Sequence, residues 1–399
     1  TKISQILESG PFLIMNKEKL KILVVPANDG GCSYYRAIMP FEKLQQHCKD
    51  EVEVRFNKNP INWNTDKNVQ GEDHLDLEWC DIVMTQNISN FGPVFMVELF
   101  KTVKDKGKFI HYDTDDLLTE LYPGHRLFEV YKERDLSKLT MALYHHADLV
   151  SVTQKKFANR IAPHVRGTLA VIKNAIDFDL PCWNLSKKYR TSKKEPCKIG
   201  WVGGIHHEQD VKQVPGLGIS VNAKVGPENI LWGFYGRPPI GDEGPDDWQQ
   251  KVWNEYTRIL VGPQKHKNWN VFQAMPTDRY GSMYTNIDVA IAPLEWNNFN
   301  DSKSEIKLME AGRYGIPLIA TDCGAYDEII QNGVTGYLIS KENRISDWNR
   351  AITKCVKDPK HAREMGRKLK SIVDERFDIN KVVHYRLDLY KNLLKNAEN

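Results

Sequence analysis

Short apolar runs alternate with longer amphipathic stretches along most of the chain. The first run, KILVVPA (Lys21 to Ala27), is continuously apolar, as a parallel strand buried on both faces should be. A glycine-containing turn and a segment with helical periodicity follow it. The same order recurs around EVEVRF, CDIVMTQN, KFIHYDTDD and ADLVSVT. Strands that alternate with helices predict a doubly wound parallel sheet.

A second series of the same kind follows a shift in composition. The stretch from Asp179 to Pro196 is polar and basic, and we interpret it as a linker or surface excursion. Strand patterns then resume at KIGWVGGI, NILWGFY, WNVFQAM, IDVAIAPL and IPLIAT. The sequence therefore predicts an α/β protein with two Rossmann-like domains, over residues 1–178 and 179–380. A C-terminal helix over 381–399 could cross back to the first domain. Ligands of such sheets bind at the carboxyl ends of the strands, so we expect a site in the cleft between the domains.

Composition narrows the class of protein. The 399 residues carry a net charge of +3, which lacks the strong basic bias of a dedicated nucleic-acid binder. Seven cysteines without a CxxC pair predict reduced thiols, and neither a zinc ribbon nor a disulfide scaffold. No apolar run approaches the ~20 residues of a membrane span, and the N-terminal stretch lacks the layout of a signal peptide. We therefore expect a cytoplasmic protein.

Candidate chemistry is concentrated in FNDSKSEIKLMEAGRYGIPLIAT, from Phe299 to Thr321. Lys303, Lys307 and Glu310 are spaced i, i+4 and i+7, which predicts one face of a single helix. The three residues before Lys303 are good N-caps, and a helix N-terminus beside lysine and serine suits a phosphate. The alternative is a solvated charged face.

The order of motifs from Asp288 to Ile339 resembles the retaining GT-B glycosyltransferases, especially glycosyltransferase family 4 (glycosyl transferases group 1). The residues that carry the resemblance are a strand ending in Pro293, then EAGRYGIPLIAT, CGAYDEII and NGVTGYLI. Weaker similarity extends to KIGWVGGIHHEQD, ADLVSVTQKKFANRI and VIKNAID. The resemblance implies a GT-B fold and sugar transfer from a nucleoside diphosphate sugar such as a UDP-sugar, with retention of configuration.

The same resemblance implies roles for residues in the central motif. Glu310 would hold the ribose hydroxyls, because a carboxylate can accept both vicinal hydroxyl protons. Lys303 and the amide of Ser304 would grip the diphosphate, with Lys307 as a further candidate. Ser302 stands where the family has a first acidic residue, and Asn300 or Asp301 could substitute for it.

One glycine pair follows the first strand of each half of the chain. Gly30 and Gly31 would let the backbone approach the donor, and Arg36 on the next helix could reach a phosphate. Gly203 and Gly204 occupy the matching place in the second half. His206 and His207 come next, where the family often has Arg and Lys. Tight turns and packed histidines are the alternatives.

The segment HYDTDD, His111 to Asp116, ends a strand and is predicted to face the cleft. We predict that His111, Asp113 and Asp115 are catalytic or bind the acceptor, with Asp116 as a further candidate. A helix N-cap is the simpler alternative for one of them.

Other functions remain open from the residues. The DxD of Asp113 to Asp115 also suits a metal-dependent GT-A glycosyltransferase, but that class does not explain a second α/β half. An HAD-like phosphohydrolase would use this DxD with a second motif between Gly241 and Asp246, yet the RPPI before it is a poor strand. A nucleotide-sugar-binding protein is a further alternative. For a GT-B enzyme we expect no cofactor and no metal. The acceptor stays open among glycan, lipid, protein and modified DNA, the last suggested by the basic segment Lys187 to Lys194.

Overall fold

The computed structural model describes residues 19–57, 72–87, 92–238, 247–262 and 268–397. The described residues form two six-stranded sheets in which every paired strand is parallel. This confirms the predicted fold class of two doubly wound α/β domains. The motif at 241–246, on which the phosphohydrolase alternative depends, lies outside the described residues.

The first domain contains the sheet with strand order β2-β1-β3-β4-β5-β6. Strand β1 lies between β2 and β3, and its last four side chains are buried, which explains its uninterrupted apolar sequence. A π-helical turn, Tyr34–Ile38, joins α1 to α2. The strands are β1 Leu20–Val25, β2 Val52–Phe56, β3 Ile82–Gln86, β4 Phe109–Asp113, β5 Leu149–Val152 and β6 Thr168–Val171. The helices are α1 Gly31–Ser33, α2 Met39–His47, α3 Glu72–Trp79, α4 Gly92–Asp105, α5 Phe128–Glu133, α6 Leu136–His146 and α7 Lys155–Ile161.

The second domain contains the sheet with strand order β12-β11-β10-β7-β8-β9. The four residues of β10 and of β11 are buried, as their apolar sequences predict. A 3₁₀ helix covers Tyr280–Asn286, before β10. The strands are β7 Cys197–Val202, β8 Ile230–Arg237, β9 Trp269–Gln273, β10 Val289–Ala292, β11 Leu318–Thr321 and β12 Gly336–Ile339. The helices are α8 Glu208–Lys212, α9 Leu217–Val225, α10 Asp247–Val261, α11 Asn298–Asp301, α12 Ile306–Arg313, α13 Ile345–Lys357, α14 Pro359–Arg376, α15 Ile379–Val382 and α16 His384–Ala397.

The chain passes between the domains twice, and the two passages touch. Ile176 bridges to Asp378, and the backbone of Ile176 exchanges hydrogen bonds with Phe377 and Ile379. Helix α16 then packs on the first domain, where Tyr390 lies against Phe41. The domains are therefore joined by a paired hinge rather than by a single linker.

The segment 179–196 runs largely over the surface, as its composition predicts, but buried side chains anchor it. Trp183 is 3% exposed and packs against Tyr284 and Tyr314. Lys187 donates to the carbonyls of Tyr284, Thr285 and Ile287 at the end of a 3₁₀ helix, and burial lowers its pKa to about 8. Part of this basic segment is therefore core structure.

Within the described ranges, no helix combines the length and the apolar character needed to cross a membrane.

Candidate active site

The lysines and the glutamate of the central motif do not share one helix. Helix α11 ends at Asp301, and α12 begins at Ile306 with Glu305 as its N-cap residue. Lys303 therefore lies in the loop between the helices, whereas Lys307 and Glu310 lie on α12. The single helix predicted from their spacing is wrong, and so are the N-cap roles predicted for Asn300, Asp301 and Ser302.

Glu310 is buried between the two domains. Its Oε1 accepts a hydrogen bond of 3.0 Å from Tyr35 Oη, and its Oε2 accepts one of 2.7 Å from Tyr284 Oη. Burial raises the pKa of Glu310 to about 7, although Tyr284, Lys307 and Tyr35 each oppose that rise. Glu310 is thus a carboxylate that hydroxyl groups already contact, and its charge is only partly compensated.

Two lysines accompany this carboxylate. Lys307 Nζ donates to the carbonyl oxygen of Val202 at the end of β7, and burial lowers its pKa to about 8. Lys303 Nζ lies 4.9 Å from the centre of the Phe299 ring. Among the described residues no carboxylate lies within ion-pair distance of either ammonium group. Both lysines therefore keep positive charge available for an anionic ligand.

The hinge holds the loop between α11 and α12. Ser304 Oγ accepts a hydrogen bond of 2.9 Å from Asn174 Nδ2, and buried Glu305 pairs with Lys173 at 2.9 Å. Ser302 is fully buried and donates to the carbonyl of Asn298. Ser302 therefore points inward and does not take the place of the missing acid.

The four glycines of the two pairs differ in the space beside their Cα atoms. A Cβ on Gly203 would lie 2.6 Å from the Trp201 ring, so this glycine is required for packing. A Cβ on Gly204 or on Gly31 would meet no atom within 4 Å. A Cβ on Gly30 would lie 2.8 Å from Asn28 Oδ1. The open space beside Gly31 and Gly204 leaves room for a ligand to approach the backbone.

His207 is held by a buried carboxylate that the sequence analysis missed. Asp210 Oδ2 lies 2.7 Å from His207 Nδ1, and Asp210 Oδ1 accepts from the amide of Glu295 and from Asn300 Nδ2. Burial lowers the pKa of His207 to about 4, and the charge of Lys307 adds to this effect. The imidazole is therefore neutral at pH 7. The spacing His-x-x-Asp was the available signal for the pair.

Asp113 and Arg36 form a buried ion pair in the first domain. The guanidinium donates to both carboxylate oxygens, with Nε–Oδ1 at 2.9 Å and Nη2–Oδ2 at 2.5 Å. Burial alone would raise the pKa of Asp113, but the charge and hydrogen bonds of Arg36 hold it below its ordinary value. Arg36 also donates to the carbonyl of Ile172 and to Asn174.

His111 belongs to the same buried network. Its Nδ1 lies 2.7 Å from Tyr390 Oη and its Nε2 lies 2.7 Å from Ser151 Oγ. Burial lowers the pKa of His111 to about 3. Both nitrogens are occupied and the residue is 1% exposed. The predictions that His111 and Asp113 are catalytic and that Arg36 binds the donor are not supported by this arrangement, which favours structural roles.

Asp115 and Asp116 are the half-buried part of the acidic segment. Asp115 Oδ1 accepts a hydrogen bond of 2.9 Å from Asn87 Nδ2. Burial and then the charge of Asp115 raise the pKa of Asp116 to about 7, against the opposing charge of Lys303. Asp116 therefore lies near enough to the α11–α12 loop to interact with Lys303. Within the described residues, no cluster of three His, Cys, Asp or Glu side chains is arranged to hold a metal ion.

Comparisons with known proteins agree with this geometry. Residues 264–371, which include Lys303, Lys307 and Glu310, match the family model for glycosyl transferases group 1. N-acetyl-alpha-D-glucosaminyl L-malate synthase of Bacillus anthracis is 34% identical over 92 residues. That alignment spans 23% of this chain and 24% of the Bacillus protein, so about three quarters of the relative's length is not matched.

Solved structures resemble the whole chain. Sucrose-phosphate synthase from Thermosynechococcus elongatus superposes with a TM-score of 0.69 at 14% identity, over 95% of this chain and 100% of that chain. Anabaena HepE, solved in complex with UDP-glucose, superposes with a TM-score of 0.62 at 14% identity, over 94% and 100%. At this level of identity the likeness concerns the fold alone. Residues 264–371 therefore resemble the glycosyl transferases group 1 family, and the two domains of the chain have the GT-B fold.

Proposed function

We propose that the protein transfers a sugar from a nucleoside diphosphate sugar to an acceptor hydroxyl, with retention of configuration at the anomeric carbon. The observation that carries this proposal is the position of Glu310. It is buried between the domains, three residues from Lys307 on the same helix, and it already accepts hydroxyl hydrogen bonds. The family match over residues 264–371 supports the class of reaction, and retention rests on the family resemblance.

The roles of the second-domain residues follow from their charge and position. Glu310 accepts the ribose hydroxyls, and Lys303 and Lys307 face the diphosphate. Cations placed beside the leaving diphosphate stabilise the negative charge that develops as the glycosidic bond breaks. Open space beside Gly31 and Gly204 lets the donor lie close to both domains. In this proposal the two lysines take the role of a divalent metal.

Asp115 and Asp116 are the acceptor-side candidates in this proposal. Both follow β4 in the first domain, and Asp116 interacts electrostatically with Lys303. Asp116, whose pKa is about 7, can hold or release a proton at neutral pH. This places a titratable carboxyl group where an acceptor hydroxyl could be positioned.

A donor screen tests the proposal. Purified protein is heated with UDP-, GDP- and ADP-sugars, and hydrolysis of each donor is measured in parallel. We expect one nucleotide class to raise the melting temperature and to be hydrolysed slowly; UDP-sugars are tested first because HepE was solved with UDP-glucose. The Glu310→Gln variant is the control and should lose most of the stabilisation. If no nucleotide sugar is bound or hydrolysed, the proposal is wrong.

A DNA acceptor has less support from the structure than from the sequence. Lys187 and Arg190 of the basic segment are used internally, since Arg190 is 7% exposed and donates to the carbonyl of Val356. Lys188, Lys193 and Lys194 remain exposed. A gel-shift titration on duplex DNA at two salt concentrations distinguishes this acceptor, because phosphate contacts weaken as salt rises.

A further inference from the structure

Glu310 accepts hydrogen bonds from tyrosines of both domains. Tyr35 comes from the π-helical turn that follows Gly30 and Gly31 in the first domain, and Tyr284 comes from a 3₁₀ helix of the second domain. Each hydroxyl uses a different carboxylate oxygen. Tyr35 is 275 positions from Glu310 in the sequence, so this contact exists only when the domains are packed together.

The carboxylate of Glu310 can accept further hydrogen bonds from a ligand while both tyrosines contact it. An ionised carboxylate offers about four lone-pair positions, of which the two tyrosines occupy two. The two hydroxyl groups of a vicinal diol need two such lone-pair positions, which remain free. Both tyrosines are buried, at 7% and 1% exposure, so they fix the orientation of the carboxylate and limit its contact with water.

We propose that Tyr35 is a positioning residue for the donor: its hydroxyl, supplied by the first domain, holds Glu310 in the orientation that accepts the ribose diol. This inference rests on the proposed function and adds a dependence to it. Recognition of the nucleoside by the second domain requires the first domain to be in place. Tyr35 acts through Glu310 and does not itself touch the donor.

The effect of Tyr35 on donor binding depends on which charged and titratable groups surround Glu310. The groups that face or influence the carboxylate are Lys307 on the same helix, Tyr35 on the first domain, and Tyr280, Tyr284 and Tyr326 on the second domain. The pKa values of these tyrosines are raised, with burial as the largest cause, so they are neutral at the pH of the experiment. Lys307 is the one cation in this set.

The pH dependence of donor binding follows from this arrangement. Only the ionised form of Glu310 can accept both ribose hydroxyls, so affinity should rise as pH increases through the pKa of about 7. Loss of the charge of Lys307 above its pKa of about 8 opposes this rise in wild type and in Tyr35→Phe alike. The hydrogen bond from Tyr35 lowers that pKa, and its removal moves the rise to higher pH. A loss caused by Tyr35→Phe should therefore be largest near pH 7 and should shrink toward pH 9.

The test is a calorimetric titration of the full chain with UDP from pH 6 to pH 9. Tyr35→Phe is compared with wild type and with Tyr34→Phe. Tyr34 is a matched control because it is the neighbouring half-buried tyrosine, packed edge-on at 5.5 Å, and its hydroxyl does not contact Glu310. We expect roughly tenfold weaker binding for Tyr35→Phe at pH 7, because Glu310 then has a higher pKa, is more protonated at that pH and loses the contact that orients it. Tyr34→Phe should match wild type.

A second ligand separates positioning from packing. With 2′-deoxy-UDP, which lacks one of the two ribose hydroxyls, the difference between wild type and Tyr35→Phe should become smaller. Equal UDP affinities of Tyr35→Phe and wild type at every pH would overturn the inference. So would a loss of the same factor at every pH and for both ligands, because that pattern indicates a packing defect. If wild type binds no nucleotide in the donor screen, the proposed function itself fails, and the inference fails with it.

Discussion

Asp113 of the first domain and Glu310 of the second domain are both buried carboxylates, but their surroundings differ. Asp113 of the first domain receives two hydrogen bonds from Arg36 and one from Ser151, so its charge is balanced by a cation. Glu310 of the second domain receives only neutral tyrosine hydroxyls, and no described cation forms an ion pair with it. Their pKa values consequently move in opposite directions from the ordinary value.

This difference distinguishes a structural carboxylate from one that can bind a ligand. A buried charge with a bidentate partner has its hydrogen-bonding capacity filled. A buried charge without a cation is costly, and such a cost is commonly found at functional sites. Asp113 therefore stabilises the first domain, whereas Glu310 retains capacity for hydroxyl groups.

The largest effect should come from breaking the buried pair. Arg36→Met leaves Asp113 buried without its cation, so we expect the free energy of unfolding to fall by about 3–5 kcal/mol. Urea unfolding measures this loss. The double variant Arg36→Met, Asp113→Asn should recover much of it. If Arg36→Met keeps full stability but loses donor binding, Arg36 is a donor-binding residue after all.

Neutralising Glu310 should instead raise the free energy of unfolding. The pKa of Glu310 is raised from 4.5 to about 7 in the folded protein, so the native state binds the extra proton and stability falls as pH rises through that window. Glu310→Gln does not carry this cost. We expect it to be more stable than wild type at pH 8, by up to about 3 kcal/mol, with no gain at pH 4. Thermal or urea unfolding at both pH values measures the difference, and a gain that is independent of pH would contradict the explanation.

The same variant should lose donor recognition. A missing hydrogen bond to a charged group corresponds to about 1.5–3 kcal/mol, so the donor KM should rise roughly tenfold to a hundredfold. Steady-state kinetics with the donor chosen by the screen measures this, and circular dichroism shows that the fold persists. Unchanged donor kinetics would remove Glu310 from the binding site.

The smallest expected effect concerns metal. Asp115 and Asp116 follow Asp113, and if this acidic segment held a divalent ion, activity would depend on that ion. We predict that EDTA leaves the activity unchanged, because in the proposed function Lys303 and Lys307 take the role that a metal ion would have beside the diphosphate. Loss of activity in EDTA with recovery in Mn²⁺ would assign the segment a metal-binding role.

The sequence predicts the interior strands well because they are continuous apolar runs, as in IDVAIAPL, and such runs are buried on both faces. It fails at the α11–α12 loop. The i, i+4, i+7 spacing of Lys303, Lys307 and Glu310 continues across the helix break, and the loop's contacts with Lys173 and Asn174 come from more than a hundred positions away.

The acidic segment shows the same limit. The residue types of HYDTDD predict chemistry, but only tertiary contacts decide which side chains are used for packing. Asp113 pairs with Arg36, which is 77 positions earlier, and His111 contacts Tyr390, which is 279 positions later. Tyr35 and Tyr284 were missed because a tyrosine hydroxyl in an apolar segment carries no sequence signal of its partner.

The return of α16 to the first domain also affects how the protein is made. His111, at the centre of the first domain, lies against Tyr390 of the last described helix. Domains commonly fold in order as they leave the ribosome, starting from the N-terminus. Here the first domain cannot complete its interior until residue 390 has been synthesised. A nascent chain that ends before α16 therefore leaves uncovered the face of the first domain on which Tyr390 packs.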